Sequence, residues 1–445
     1  MNNRPTSIAE SNDNDDNGHN KAWLYYFIAA VVGLLTGVLG SFFHQVIDHS
    51  LAWSRHLPEF LGLEGIGLYL FLSLFSAAMF CLAVALVRFV APEASGSGVQ
   101  EIEGAMAGLR NIRWQRVLPV KFIGGTLALG AGLIGGREGP TIHMGASIAK
   151  ALGSWFSFGQ RDTRALWGAG GAAGLTAAFN APMASVLFIL EEARNVFPHS
   201  GRTYSAAIIA CGVSAIATVA ISGSTPFMAL SSTAMPLSFL PVFVVLGVVL
   251  GAMGVVFNRM VLAALDLSLH IGLRFSPYLI PALLGLVIGP MLVIFPEATG
   301  GGESLAVAIV NNPMPIGLLG LVILVRFFGT AASYSTGAPA GIFAPILALA
   351  TASSVFLAEL LSLLMPLPPG TIVAFAAAGM AGLFAGTVRA PLVGMVLVAE
   401  LTGSYVLVIP VLLTAIMANI VADALGGRPI YEVLLERTLR LEKKA

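Results

Sequence analysis

Charge is what this chain lacks. Only 10% of its 445 residues are Asp, Glu, Lys or Arg, against about 25% in ordinary soluble domains. Hydrophobic residues make up 57%, and mean hydropathy is +0.87. A soluble core cannot bury that much apolar surface, which excludes a cytosolic globular enzyme. The few charges balance, 23 basic against 23 acidic, so no basic face advertises nucleic acid and no acidic tract advertises a cationic partner. Cysteine is scarce too: Cys81 and Cys211 lie in apolar runs without CxxC or metal-ligand spacing, and read as small hydrophobes. No metal site is expected. There is no Walker A lysine, no HExxH and no Ser/His/Asp set placed for catalysis. Gly130, Gly132 and Gly135 fit GxGxxG but sit in an apolar helix rather than after a strand, so no dinucleotide site follows and no cofactor is expected.

What is abundant is apolar sequence without charge: Leu24 to Phe43, Gly65 to Val87, Thr203 to Asn258, Phe275 to Pro296, Ser304 to Val325, Phe327 to Ala358, Leu360 to Val388 and Leu401 to Ala422. Roughly 20 apolar residues span a bilayer as a helix, so several of these cross fully, and the 56-residue run from Thr203 to Asn258 holds more than one element. Phe122 to Gly136 and Gly139 to Ala149 are shorter and flank the charged pair Arg137 and Glu138. A helix that stops inside a membrane needs protein or a water-filled cavity for its free backbone groups, and broken helices point to a transport site. Residues 1–20, with Asp13, Asp15 and Asp16 in a polar run and no basic n-region, read as a disordered tail. Residues 428–445, with Arg437, Arg440, Lys443 and Lys444, read as a cytoplasmic C-terminal helix or tail under the positive-inside rule.

The chain repeats itself. Gly33, Gly37, Gly40 and Phe43 return as Gly247, Gly251, Gly254 and Phe257, 214 positions on. Pro92 to Gly98 (PEASGSG) returns as Pro296 to Gly302 (PEATGGG), Gly135 to Pro140 (GGREGP) pairs with Ala340 to Pro345 (AGIFAP), and Ala173 to Glu191 pairs with Ala381 to Glu400. Matches in one order at nearly constant offset divide the chain into a first membrane repeat at 21–222, a connection at 223–238 and a second repeat at 239–427. Duplicated halves that meet at interrupted helices are a transporter architecture. The duplication also sorts residues. Ser97, Arg137, Glu138 and Glu192 face Gly301, Ile342, Phe343 and Leu401, so each polar group needs a reason beyond the shared scaffold. Glu191 has a twin in Glu400 and reads as structural.

Gly96, Ser97 and Gly98 precede an apolar segment that begins at Val99. Unshielded N–H groups at a helix N-terminus hold a small anion; a plain Gly/Ser turn is the alternative. Glu138 lies between Gly136 and Pro140, where proline opens a helix, and an acid within a membrane protein is a functional hypothesis by default. Its carboxylate, when ionised, could occupy the anion cradle and, when protonated, leave it. A salt bridge to Arg137 is disfavoured because adjacent helix residues do not face each other. Phe343 opens the matching helix after Gly341 and Ile342; its N–H could complete the cradle, while its ring reads as packing. Glu192 could pass protons toward Glu138. Tyr431 could hydrogen-bond an anion or serve as an interfacial belt residue. Of the seven histidines only His143 lies beside a motif, and a solvent or backbone partner is expected for it.

Gly96 to Gly104 (GSGVQEIEG), Gly136 to Pro140 (GREGP), Gly341 to Pro345 (GIFAP) and Tyr431 together resemble the CLC family of chloride channels and proton-coupled chloride antiporters, most of all its bacterial H+/Cl− exchange transporters. The similarity runs from about residue 22 to 440. It implies an all-α polytopic membrane protein built as an inverted repeat with many tilted and half-length helices, in a homodimer with one pore per subunit. Its partners would be chloride, protons and the lipid bilayer, and its place the inner (plasma) membrane with both termini cytoplasmic. Ser97 and Tyr431 would coordinate chloride through hydroxyls and Ile342 and Phe343 through backbone amides, with Gly96, Gly98, Gly136, Arg137, Gly139 and Gly341 shaping the cradle backbone. Glu138 would be the gating and external proton glutamate, and Glu192 the internal one, which favours exchange over passive conduction. Serine at position 97 favours chloride over nitrate. Gln100 and Ala340 depart from the usual proline and glycine. No nucleotide-binding regulatory domain is expected. The alternatives are a voltage- or pH-gated chloride channel, a fluoride exporter and an intramembrane enzyme.

Overall fold

Helix breakers set the elements. In the computed structural model, which describes residues 9–156, 158–224, 228, 233–312 and 314–443, the chain is helical between Gly, Pro and Asn punctuation. The first half comprises α1 (Ala9–Phe60), α2 (Gly65–Val90), α3 (Val99–Met106), α4 (Trp114–Gly130), α5 (Glu138–Gly153), α6 (Gln160–Phe179), α7 (Pro182–Glu191) and α8 (Gly201–Ser222). The second comprises α9 (Leu240–Arg274), α10 (Leu279–Ile294), α11 (Glu303–Asn311), α12 (Ile316–Ser335), α13 (Phe343–Ser362), α14 (Thr371–Val388), α15 (Pro391–Thr402) and α16 (Val408–Ala424), and α17 (Ile430–Glu442) follows. The helix α1 begins at Ala9, inside the segment expected as a tail; no proline interrupts the sequence from there to Pro58. Residues 1–8 lie outside the described residues.

Seven of the described helices are long and apolar enough to cross a membrane, and their buried shares range from 33% to 89%. The lower values belong to helices that present apolar side chains outward, among them Phe27, Leu74, Ile216 and Val245, as a lipid-facing surface requires. This is a multi-pass membrane protein. Cys211 is buried, whereas Cys81 is only half-buried.

The repeated glycines do the same work in each half. A Cβ at Gly33 would lie 2.3 Å from the Ala210 carbonyl oxygen, and one at Gly247 2.7 Å from that of Thr414, so α1 meets α8, and α9 meets α16, at backbone contact. Membrane helices associate through such close approaches because lipid offers no hydrophobic driving force.

Paired acids tie the halves together. Glu191, closing α7, accepts hydrogen bonds from the Leu392 and Val393 N–H groups at 3.3 and 2.8 Å, and its twin Glu400 accepts from Met183 and Ala184 at 3.0 and 2.7 Å. Each carboxylate caps the first turn of the other half's proline-led helix, where free donors and the helix dipole both favour negative charge. The structural reading of Glu191 is thereby explained.

The twin loops lie on opposite faces. Residues 92–98 sit beside α17, with Arg437 and Glu442 near Ser95 and Gly96, while Pro296 and Thr299 of the second loop meet Arg55 near the far end of α1. The opening of α1 shares the α17 face: Tyr25 donates to the Asp162 carbonyl at 3.0 Å, Lys150 at the end of α5 bonds Asn111, and neighbouring Arg110 pairs with Glu442. The two halves are therefore inverted relative to each other, and α1 and α17 start and finish the fold on one side.

Candidate functional site

Two helices, α5 and α13, point their N-termini at each other in the interior. The segments leading into α5 and α13 pair as a single antiparallel bridge, with Gly136 and Gly341 exchanging N–H···O=C bonds of 2.7 Å each. Glu138 is the first residue of α5 and has no exposure. Its Oε2 accepts from the Ala344 N–H in the first turn of α13 at 3.3 Å, and its Oε1 has no hydrogen-bond partner among the described residues. Burying a carboxylate is costly unless donors meet it; here the donor comes from the facing helix N-terminus, where unpaired N–H groups and the dipole favour an anion. Gly136 makes room, since a Cβ there would sit 2.0 Å from Oε2.

Ser97 closes the other side. Its hydroxyl is buried without a hydrogen-bond partner among the described residues, and it abuts the start of α5 so closely that a Cβ on Gly139 would lie 2.6 Å from it. Gly96 and Gly98 take φ of +59° and +90°, Gly98 as the left-handed residue that launches α3. Tyr431, in the first turn of α17, is buried, and lies within electrostatic range of Glu138, Glu192 and the Ser97 side chain. Ile342 caps α13 and is fully buried. The Phe343 ring packs among Phe384, Phe179 and Phe188 at centroid distances of 4.5, 5.5 and 6.0 Å, which is the packing role expected of it.

Glu192 follows α7 and lines a cavity of about 170 Å³ with Glu103, Glu191, Arg194, Arg389 and Glu432. It opens on the α17 side, so Glu192 stands between that face and the buried site around Tyr431. Arg137 turns toward other acids. Its guanidinium reaches Asp48 and Glu303, both at 3.6 Å.

Several participants escaped the sequence reading. Lys121, in α4 and fully buried, donates to the Gly96 and Ser97 carbonyls at 2.6 and 3.1 Å, which turns that loop's carbonyls away from the cradle. Arg326, 205 positions on, clasps the twin loop through the carbonyls of Glu297, Thr299, Gly300 and Gly301 at 2.7–3.1 Å. A lone cation at matching places in two apolar helices was the available signal. Tyr334, whose hydroxyl accepts from the Ser97 N–H at 3.5 Å, and Ala344, which holds Glu138, carried none. His143 corrects an expectation: it is fully buried behind Gly98, and neither ring nitrogen has a hydrogen-bond partner among the described residues. The crowding of α3 and α5 around the loop leaves it no solvent.

The family profile described as voltage gated chloride channel matches residues 77–423. The chain belongs to the CLC family. Among its CLC relatives, the H(+)/Cl(−) exchange transporter ClcA of Vibrio campbellii is 41% identical over 428 residues, covering 94% of this chain and 90% of the relative. The X-ray structure of a slow cyanobacterial Cl−/H+ antiporter is 39% identical and superposes with a TM-score of 0.89, covering 94% of this chain and 98% of that one. A CLC-type fluoride/proton antiporter, at 22% identity, 90% coverage of this chain, 95% of its own length and a TM-score of 0.72, shares the fold. The inverted all-helical architecture that the resemblance implied is thus the CLC fold.

Proposed function

We propose that this CLC protein exchanges chloride for protons across the cell's inner membrane, as a secondary antiporter and not an enzyme. The observation that carries the reading is the Glu138 carboxylate, an anionic group seated on the N-terminus of α13 through the Ala344 N–H, with the unpaired Ser97 hydroxyl beside the same helix start. A site that holds a carboxylate oxygen on a backbone amide at a helix N-terminus, with an unpaired hydroxyl close by, also receives a dehydrated chloride, because both offer negative charge to such donors.

In this mechanism ionised Glu138 fills the cradle and blocks it. Protonation removes the charge that the helix N-termini hold, the side chain leaves, and chloride takes its place among Ser97, Tyr431 and the amides of Ile342 and Phe343. The glycines at 96, 98, 136, 139 and 341, with the Arg137 backbone, keep side chains out of the path. Glu192 takes up protons from the cavity on the α17 face, which is assigned to the cytoplasm with both termini. One carboxylate therefore alternates with the anion, and transport of one ion requires movement of the other. Two subunits, each with its own pore, form the functional homodimer. The ClcA relatives named for H(+)/Cl(−) exchange and the Cl−/H+ antiporter structure support this reading over a passive channel.

The test is Glu138→Ala in proteoliposomes. Chloride flux that persists while proton flux disappears supports the assignment. Proton movement still driven by chloride in that variant overturns it.

A further inference from the structure

The proposed gate is completely buried, yet an antiporter must return its proton to water on the face opposite α17. On that side Glu303, the first residue of α11, keeps 22% of its side chain exposed and pairs with Arg137, the residue immediately before Glu138, at 3.6 Å. Its carboxylate folds back over Gly301, where a Cβ would lie 2.8 Å from Oε2. Its negative charge acts on Glu138. The duplication singles it out as well. Its twin at the start of α3 is Val99, so the acid is not needed to build this helix start and belongs to the half that faces away from the termini.

Resting on the reading of Glu138 as proton carrier, we infer that Glu303 is the group through which Glu138 exchanges its proton with the solution opposite α17, held in place by Arg137. The transfer is a simple exchange: the Glu138 carboxyl loses the proton, the Glu303 carboxylate gains it, and water removes it from Glu303. Arg137 supplies the positioning. Its guanidinium is buried, with 6% exposure, and is fixed between Asp48 on α1 and Glu303 on α11, so the partially exposed acid is anchored to the N-cap of α5. Buried carboxylates exchange protons slowly without a positioned acceptor, and such acceptors act at hydrogen-bond range or through one water.

The charged and titratable groups facing Glu303 are Arg137 and Glu138 at the start of α5 and Arg326 on α12. Behind Arg137 stands Asp48, paired with His44 at 2.9 Å, and along the same loop Glu297 faces Arg55. Asp48 is 58% exposed and is held by His44 as well as Arg137, whereas Glu303 acts on the gate itself.

The experiment measures chloride-driven proton flux for Glu303→Gln, Glu303→Val and Glu303→Asp in proteoliposomes while pH is varied on the side opposite α17. Gln and Val are expected to slow proton flux on the order of a hundredfold, the low end for a positioned proton-transfer group, and to flatten the pH profile on that side; Asp is expected to restore both. In a Glu138→Ala background, Glu303→Gln is expected to leave chloride flux unchanged. Unaltered proton flux and pH profile in folded Glu303→Gln would overturn the inference, as would an equal loss of chloride flux in the double variant, which marks a structural role. Failure of the underlying reading is separate: it appears as proton coupling surviving in Glu138→Ala alone.

Discussion

Gly136→Ala puts the gate's geometry to a direct test. The added Cβ would sit 2.0 Å from Glu138 Oε2, whereas ordinary contact begins at 3.4 Å, so the carboxylate must withdraw by the difference, 1.4 Å. Its bond from Ala344 is already 3.3 Å long, and such a retreat ends it. A hydrogen bond to a charged group contributes about 1.5–3 kcal/mol, which shifts the balance between seated and withdrawn carboxylate roughly ten- to a hundredfold. The fold tolerates the change because Gly136 is not among the positive-φ glycines and the obstacle is the free end of a side chain; overpacking against Pro345 Cδ at 3.2 Å costs about 1–3 kcal/mol. The assay is paired chloride efflux and proton uptake in proteoliposomes, with dispersity checked by size exclusion. The proton-to-chloride flux ratio should fall by about tenfold while chloride continues to pass. A well-folded Gly136→Ala protein with the parental ratio would refute the placement of the carboxylate.

Other consequences are open to measurement. Glu192→Gln should abolish proton flux and spare much of the chloride flux in the same liposomes; parallel loss of both would remove it from the proton route. Tyr431→Ala should weaken chloride binding in calorimetry, and an unchanged isotherm would strike Tyr431 from the site. Glu400→Ala should lower unfolding stability by about 1–3 kcal/mol through loss of the cap on α7, visible as a reduced midpoint in denaturant, and Glu191→Ala should match it because the two caps are reciprocal. Lys121→Met leaves the Gly96 and Ser97 carbonyls without their buried donor; chloride affinity should fall, and undiminished affinity would mean that the loop holds its shape unaided.

The architecture was legible where it depends on local chemistry. The glycines of α1 and α9 and the opening of α5 at Glu138 follow from backbone rules acting over a few residues, and the duplication let the matching positions be compared. The asymmetry between Glu138 and Phe343 picked out, for the same reason, the carboxylate that lies buried on the start of α13. Contacts across the repeats were not legible. Glu138 meets Ala344 206 positions away, and Glu191 meets Val393 202 positions away, and no sequence interval encodes which backbone amide faces which carboxylate. Tyr334 was overlooked, and His143 was given a solvent or backbone partner it does not have, because an aromatic or a histidine on an apolar helix has many uses. Lys121 and Arg326 were recoverable, since each interrupts an apolar helix at the same place in its repeat. The helical start at Ala9 was missed because the acidic composition of residues 11–20 reads as solvated chain, while helix propagates backward from the apolar stretch of α1.

Coupling itself is tested most directly by the reversal potential of the purified protein in a bilayer, with equal chloride on both sides and a pH gradient across it. Glu138 alternating with chloride in one cradle predicts a current that reverses away from the chloride equilibrium potential and toward the proton's, with the displacement growing with the pH step. Reversal at the chloride potential at every pH would contradict the account.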